Sequence, residues 1–401
     1  MKTIQRYLKM MLVLVAMLMG IQAMAEKQPY VVYSVENKTL TFYYDGNMDT
    51  NGGILIDENY GEGFNDIPSW NMGLGTTKVV FDSSFAGYQP TTTRSWFSQN
   101  FSQLKEIEGL KYLDTSKVTD MRLMFRGCLA LEKLDLSSLK TGNVERMSSM
   151  FHGCQRLKKL NVSFDTSKVI DMTEMFYNCY ELEELDVSSF DTSSVIYMQG
   201  VFSYCTSLKR LDLRNLNTSS MVNMAYLFEG CTALESVDFG KSSTSNLVIM
   251  DGMFNGCMSL KSLDLSSFDT YNVTHMDRLF YECNNLTTIY VGNKWYTDNV
   301  EEPYRYFLFS GCKNLVGGAG TSYNICLYDH ILYARIDGGT EAPGYFTAAT
   351  QPSISTGIEN VQRELVKGQK GGWFTINGQK IGGKPTKKGV YINNGKKTII
   401  E

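Results

Sequence analysis

The stretch LDTSKVTDMRLMFRGCLALEKLDL, residues 113–136, is the first clear copy of a sequence that returns along most of this 401-residue chain. Each copy is marked by a cysteine, and successive cysteines lie 26, 25, 26, 26, 26 and 26 residues apart. They are Cys128, Cys154, Cys179, Cys205, Cys231, Cys257 and Cys283. A fixed period of this length is typical of stacked-repeat proteins, so every other motif has to be interpreted within it.

The segment before each cysteine has the spacing of a short helix. Phenylalanine stands three residues before the cysteine and methionine seven before, as in Phe125 and Met121, and such spacings place side chains on one helix face. Serines such as Ser116 precede the segment and could cap it, and glycine often precedes the cysteine, where a left-handed residue would end a helix. The sequence therefore predicts one short helix per repeat.

The segment after each cysteine has a different period. Leu134 and Leu136 flank Asp135, and the other repeats keep this alternation of apolar and polar residues, which is typical of a short strand buried on alternate sides. One repeat is too small to bury its own apolar face, whereas a stack of repeats completes a continuous core. We therefore expect an α/β leucine-rich-repeat-like solenoid, with one short helix and one short strand per 25–26-residue coil, a parallel sheet on one face, and small β modules at both ends.

The repeat resembles a known family. The pattern Val-x-x-Met-x-x-Met-Phe-x-x-Cys-x-x-Leu-x-x-Leu-Asp-Leu-Ser-Ser-Phe-Asp-Thr-Ser is similar to the BspA-like leucine-rich-repeat surface proteins of Bacteroidetes, which are related to repeats of mycoplasma surface lipoproteins. The resemblance covers about residues 80–346, with a degenerate leading copy at 96–100, where Asn100 replaces the cysteine, and a last copy near Cys312 stretched by residues 296–306. It implies a surface protein that adheres to host or microbial surfaces.

The two ends of the chain differ from the repeats. Residues 1–25 have the charged, apolar and small-residue regions of a signal peptide, and residues 26–85 alternate apolar and polar residues as a β cap module would. The repeats are expected to occupy residues 86–347, followed by a linker at 348–360 and a β tail at 361–401. Asn-Gly steps in the tail indicate hairpin turns, and the tail resembles the sorting tails of type nine secretion substrates.

The charge distribution argues against nucleic acid as a partner. The formal net charge is −4, but residues 361–401 carry nine Lys and Arg against two acids, so the remainder of the chain is strongly acidic. Phosphate binding requires a basic surface. No apolar run after the signal is long enough for a transmembrane span, and we expect an exported protein at the cell surface or outside the cell.

The repeated cysteines are predicted to be free, buried thiols. A residue type that recurs once per repeat, always three positions after phenylalanine, serves as a small core residue. Disulfides stay possible for an exported protein, because neighbouring strands lie only about 4.8 Å apart. No Cys-x-x-Cys pair is present, so no metal or other cofactor is predicted.

The middle residue of each predicted strand forms the polar array that could bind a partner. Its members are Asp135, Asn161, Asp186, Asp212, Asp238, Asp264 and Tyr290, here named the strand stripe. It is either a hydrated ladder bonded to nearby backbone or a stripe that binds cations or a partner. A second series, which includes Asp114 and Asp165 before Ser or Thr, is more typical of turns.

No catalytic arrangement is evident, and we predict a non-enzymatic protein. His152, His275 and His330 are the only histidines, they share no repeat position, and each is expected to be a surface or loop residue. The favoured function is binding of an extracellular protein or glycan through the repeat surface. The alternatives are a structural envelope protein without a specific ligand and a secreted hydrolase, although a hydrolase would need two acids at a defined separation and not six near-equivalent positions.

Overall fold

The computed structural model describes residues 27–60, 68–71, 75–241, 243–325 and 330–349, together with strand residues 373–375, 380–381, 389–393 and 396–400. The predicted signal peptide and most of the predicted linker lie outside these residues. The chain divides into two compact units, Met1–Thr347 and Ala348–Glu401. The first unit holds the repeats and is described first.

The first unit begins with a five-stranded sheet. Its strands are β1 (Tyr30–Ser34), β2 (Thr39–Tyr43), β3 (Ile54–Leu55), β4 (Lys78–Phe81) and β5 (Glu106–Glu108), in the order β3-β1-β2-β4-β5. β1 pairs antiparallel with β2 and β3, whereas β4 pairs parallel with both β2 and β5. Because β4 of the N-terminal module pairs with β5, which follows the leading copy of the repeat, the sheet of this module continues into the repeats.

Short parallel strands recur in the repeats. They are β6 (Lys133–Asp135), β7 (Lys159–Asn161), β8 (Arg210–Asp212), β9 (Ser236–Asp238), β10 (Ser262–Leu265) and β11 (Thr288–Val291), and β12 (Phe346–Ala348) follows them. Leu134 and Leu136 are buried and Asp135 between them is exposed, so the predicted alternation is found. The sheets are small, however: β6 pairs with β7, β8 with β9, and β10-β11-β12 form a third sheet.

The predicted helix per repeat is wrong. The described residues contain no α-helix and only short 3₁₀ helices, at Ser83–Gly87, Leu110–Tyr112, Glu302–Tyr304, His330–Tyr333 and Gly339–Glu341. Residues 121–128 instead form successive turns, in which the Cys128 N–H donates to the Phe125 carbonyl at 3.1 Å. The N–H groups of Met121 and Phe125 donate to the next repeat, to the carbonyls of Arg146 and Met150 at 3.0 and 2.9 Å.

Left-handed residues explain why turns replace the helix. Leu123 has φ 61° and Gly127 has φ 78°, and the same two positions are left-handed in the other repeats. Two such residues four apart cannot belong to one right-handed helix. The backbone groups lose no hydrogen bonds, because alternate N–H groups pair with the next repeat. The chain reverses every three to four residues, so Met121, Met124 and Phe125 are still buried together.

Stacked phenylalanines form the centre of the core. Phe202 lies between Phe176 and Phe228, with ring centroids 5.8 and 5.5 Å away and rings tilted by 4° and 10°. The stack begins at Phe97 in the degenerate leading copy, whose ring lies 5.4 Å from that of Phe125, and it ends at Phe309. The leading copy also has left-handed residues, Ser95 and Gln99, so it is a full repeat in backbone conformation.

The eight cysteines that the structure describes are free and buried, as predicted, and they also form hydrogen bonds. Each described thiol donates to the carbonyl of the phenylalanine in the preceding repeat; Cys231 bonds to Phe202 at 3.0 Å and Cys205 to Phe176 at 3.2 Å. Burial raises the pKa of Cys154 and of Cys231 to about 12, which keeps these thiols protonated as donors. Cys326 lies outside the described residues.

The second unit contains a four-stranded antiparallel sheet. Its strands are β13 (Trp373–Thr375), β14 (Lys380–Ile381), β15 (Gly389–Asn393) and β16 (Lys396–Ile400), in the order β14-β13-β15-β16. The pairs β13–β14 and β15–β16 are the predicted hairpins. The Asn-Gly turns themselves lie outside the described residues.

Candidate functional site

Six members of the strand stripe lie on the exposed side of strands β6 to β11, whereas the strand predicted around Asp186 does not form. All seven members are exposed, and the paired strands place Asp135 beside Asn161, Asp212 beside Asp238, and Asp264 beside Tyr290. Each aspartate also serves its own turn: Asp135 accepts from the N–H of Ser137 at 3.0 Å, and Asp264 from that of Ser266 at 2.8 Å. The carboxylates are therefore fixed in position by backbone hydrogen bonds.

Hydrogen bonds lower the pKa of three stripe aspartates. The N–H of Ser137 lowers the pKa of Asp135, and the hydrogen bond from the Ser188 side chain lowers the pKa of Asp186. The hydrogen bond from the Arg214 guanidinium lowers the pKa of Asp212 to about 2. Arg214 also lies 3.5 Å from Asp238, so one cation bridges two neighbouring stripe positions.

The second acidic series performs the expected turn role. Asp165 accepts from the N–H of Ser167 at 3.1 Å, and Asp191 from the N–H of Ser193 at 2.9 Å. Asp114 is likewise bonded to the N–H of Ser116, at 3.1 Å. The serines predicted as helix N-caps are therefore the donors of these turns, since no helix follows them.

The stripe is interrupted between β7 and β8. Among the described residues, no backbone hydrogen bond joins residues 183–186 to either neighbouring repeat. An open groove of about 1020 Å³ lies here. It is lined by four stripe members, Asp135, Asn161, Asp186 and Asp212, and by Lys133, Lys158, Lys159, Glu183, Glu184 and Arg210, with Leu134, Leu160 and Leu185 at its base.

A shortened repeat lies next to the interruption. The 25-residue spacing between Cys154 and Cys179 reflects one missing residue in the loop Val162-Ser163-Phe164, where the repeats at 187–190 and 265–268 have two serines before phenylalanine. In regular repeats a buried threonine bonds to the following loop; Thr244 donates to the Asp269 carbonyl at 3.0 Å and accepts from the Asp269 N–H at 2.8 Å. Thr141, which precedes the shortened loop, has no partner for its buried hydroxyl among the described residues.

The three histidines have different neighbours in the structure. His152 lies 3.1 Å from Glu174 and stacks on Tyr177, and His275 stacks on Tyr304. The expectation of a surface or loop position is wrong for His330, which is only 3% exposed, because the C-terminal 3₁₀ segment packs it against Phe309. Within the described ranges no His, Cys, Asp and Glu side chains are grouped to hold a metal ion. No helix in those ranges is long and apolar enough to cross a membrane.

Sequence reasoning located the stripe but missed the groove. Lys158, Glu183 and Glu184 occupy ordinary surface positions in their repeats, and nothing in their spacing sets them apart. The signal that could have found the groove is the single 25-residue interval in a series of 26-residue intervals. A one-residue deletion in a repeat protein changes how two neighbouring repeats pair, because each repeat contacts only its neighbours.

Comparison with solved structures finds repeat proteins of low similarity. A leucine-rich-repeat protein of T. pallidum is 16% identical, with 67% of this chain and 79% of that chain covered and a TM-score of 0.24. A leucine-rich cell surface protein of Faecalibacterium prausnitzii is 16% identical, covering 71% and 91%, with a TM-score of 0.25. A leucine-rich-repeat protein of Eubacterium ventriosum is 14% identical, covering 76% and 96%, with a TM-score of 0.23.

Comparison of the sequence gives a family. No curated protein sequence matches the chain. Residues 94–212 and residues 197–316 each match the model of a family described as Mycoplasma protein of unknown function, DUF285. Because the two overlapping matches together span more than half of the 401 residues, the chain belongs to the DUF285 family.

Proposed function

We propose that this chain is an exported, non-enzymatic protein of the cell surface, which binds an extracellular protein or glycan through the strand side of its repeats. The stacked repeats form one continuous solenoid in this proposal. The groove beside residues 183–186 is the observation that carries it, because four members of the strand stripe line this groove. Concave sites with a few convergent polar groups are the usual position of binding sites.

The charges of the groove support a partner that carries both signs or many hydroxyl groups. Asp135, Asp186 and Asp212 lie among Lys133, Lys159 and the Arg210 side chain, while Leu134, Leu160 and Leu185 supply apolar contact. Arg210 is 3.4 Å from Glu235 and exposed, so its ion pair can be exchanged for one with a partner at little cost. Complementary charges of this kind give specificity and orientation more than affinity.

Reversing two groove charges should weaken binding without unfolding the protein. The double variant Lys159→Glu/Arg210→Glu changes two exposed side chains, whereas the matched control Lys241→Glu/Lys313→Glu makes the same charge change at exposed positions outside the groove. Both variants and the parent would be applied to an array of extracellular matrix proteins and glycans. We expect the control to keep the parent's binding and the groove variant to lose at least tenfold in affinity, about 1.4 kcal/mol.

Two outcomes would contradict the proposal. If the parent binds nothing on the array while it is displayed on cells, a structural envelope protein without a ligand is the better description. If both double variants lose binding equally, net charge and not the groove determines binding.

We also propose that the C-terminal tail is a sorting address. The support is its resemblance to sorting tails, its basic charge and its own antiparallel sheet in a separate compact unit. Deleting residues 361–401 should leave the melting temperature of the repeats unchanged and trap the protein in the periplasm, as measured by calorimetry and by antibody staining of intact cells. Normal surface display of the shortened chain would refute the sorting role, and a large fall in melting temperature would make the tail part of the repeat fold.

A further inference from the structure

The last two repeats carry a concentration of exposed aromatic rings outside the groove. Tyr271 is 61% exposed, Phe307 50%, Tyr296 40% and Tyr304 36%. Isolated exposed aromatic residues are ordinary, but these four, with Tyr290 of the strand stripe, all lie within residues 271–307 and form a surface feature that a monomer does not need for its core. These side chains contribute little to folding and remain available for contact with another molecule.

The rings are arranged in three contacts between the two repeats. Tyr271 meets Tyr296 edge-to-face at 5.7 Å, and His275 stacks on Tyr304 at 3.7 Å. The Arg278 guanidinium lies over the Phe307 ring at 5.6 Å. We name these three contacts the aromatic row, because they follow one another along both repeats.

Backbone bonds hold the aromatic row in register. The Met276 N–H donates to the Tyr304 carbonyl at 2.9 Å, and the Arg278 N–H to the Tyr306 carbonyl at 3.0 Å. The Tyr296 N–H donates to Thr270 Oγ1 at 2.6 Å. Four extended residues span at most about 14 Å and three at most about 11 Å. Residue 275 therefore lies within about 14 Å of residue 271 and within about 11 Å of residue 278. A preformed surface of this kind loses little entropy when it binds.

Both arginines along the row are paired with acids. Arg278 lies 3.2 Å from Asp277, and Arg305 lies 2.7 Å from Glu302. Asp298 and Glu301 are further exposed acids in this segment, so the row offers aromatic rings without an excess of positive charge that would attract a polyanion. Aromatic faces carry negative partial charge, and they attract the C–H groups on the apolar face of a sugar ring.

We propose that the aromatic row binds a neutral polysaccharide, whose sugar rings stack on Tyr271, Tyr304 and Phe307. A linear polymer suits a row better than a protein does, because protein interfaces concentrate their binding energy in a central cluster shielded from water. The row is separate from the groove between β7 and β8. The proposal therefore does not depend on the groove.

Affinity electrophoresis of the full chain in gels containing laminarin, yeast mannan or heparin tests the proposal. We expect laminarin or mannan, both neutral, to retard the parent protein, and heparin, a polyanion, not to retard it. Tyr271→Ala/Phe307→Ala should weaken that retardation about tenfold or more, since each substitution removes one ring face. Tyr180→Ala/Tyr197→Ala removes two exposed rings from other repeats and should bind like the parent.

The groove variant Lys159→Glu/Arg210→Glu should also bind the neutral polysaccharide like the parent, which separates the two sites. Melting curves of all variants check that they are folded, and the exposed positions should leave them unchanged. The proposal is overturned if neither neutral polysaccharide retards the parent. It is also overturned if Tyr271→Ala/Phe307→Ala and the control Tyr180→Ala/Tyr197→Ala weaken binding equally. It is also overturned if the row variant loses binding only to a protein such as collagen, because the row would then be a protein interface.

Discussion

Phe202→Ala should lower the free energy of unfolding by about 3–5 kcal/mol, the range for removal of a buried aromatic ring. The ring is 2% exposed and lies between two others at 5.8 and 5.5 Å, so its loss leaves a cavity and removes two stacking contacts. The flanking repeats cannot move together to fill the space, because their backbones are hydrogen-bonded on both sides of it; the Phe202 N–H donates to Leu227 at 3.0 Å. Urea unfolding of the parent and the variant, followed by circular dichroism, measures the change.

The matched control for this prediction is Phe307→Ala. Phe307 is also a phenylalanine of the repeats, but it is half-exposed and lies outside the stack. We expect its loss to change stability by less than about 1 kcal/mol, as for other surface substitutions. Equal unfolding midpoints for the two alanine variants would contradict the assignment of the phenylalanine stack as the centre of the core.

Thr244→Val should lower the free energy of unfolding by about 1–3 kcal/mol, because it leaves both the carbonyl and the N–H of Asp269 without their partner. Valine has nearly the shape of threonine, so the packing is retained. The loss of stability therefore measures the contribution of the hydrogen bonds. Thr141→Val makes the same change where the hydroxyl has no partner among the described residues, and it should be neutral or stabilising. Chemical unfolding of both variants under identical conditions measures the difference.

An insertion tests the reason for that difference. One serine added between Ser163 and Phe164 restores the loop of the regular repeats, and it should give Thr141 an acceptor in the following loop. In the lengthened protein Thr141→Val should then become destabilising, as Thr244→Val is in the parent. If Thr141→Val is already as costly as Thr244→Val in the parent, the shortened loop is not the cause of the missing bond.

Hydrogen bonding between repeats gives the cysteines and threonines a role that burial alone does not explain. Alanine would also fill the cysteine position, but it could not donate to the phenylalanine carbonyl, which all eight described cysteines do; Cys257, for example, bonds to Phe228 at 3.2 Å. The Phe228 carbonyl also accepts from the N–H of Cys231 in its own repeat, at 3.1 Å. The thiol is therefore a second donor to this carbonyl, and it links each repeat to the preceding one.

The sequence by itself determined which side chains are buried and how the repeats are spaced. The columns of Phe, Met, Cys and Leu were all readable from the period, since a stacked core needs the same apolar residue at the same position in each repeat. The exposed strand stripe followed from the alternation around Asp135, because successive side chains of a strand point to opposite sides. The single 25-residue interval was visible too, although its effect on pairing was not.

Only the tertiary structure decided whether the segment before each cysteine forms a helix or a series of turns. Spacings of three and four residues fit a helix and a series of turns equally well, and the choice fell to turns because Leu123 and Gly127 are left-handed and the N–H groups bond to the next repeat. The groove and the aromatic row join side chains that are about one repeat or more apart in the chain, such as Tyr271 and Tyr296. Sequence periodicity specifies the direction in which a side chain points, whereas its partner depends on the neighbouring repeat.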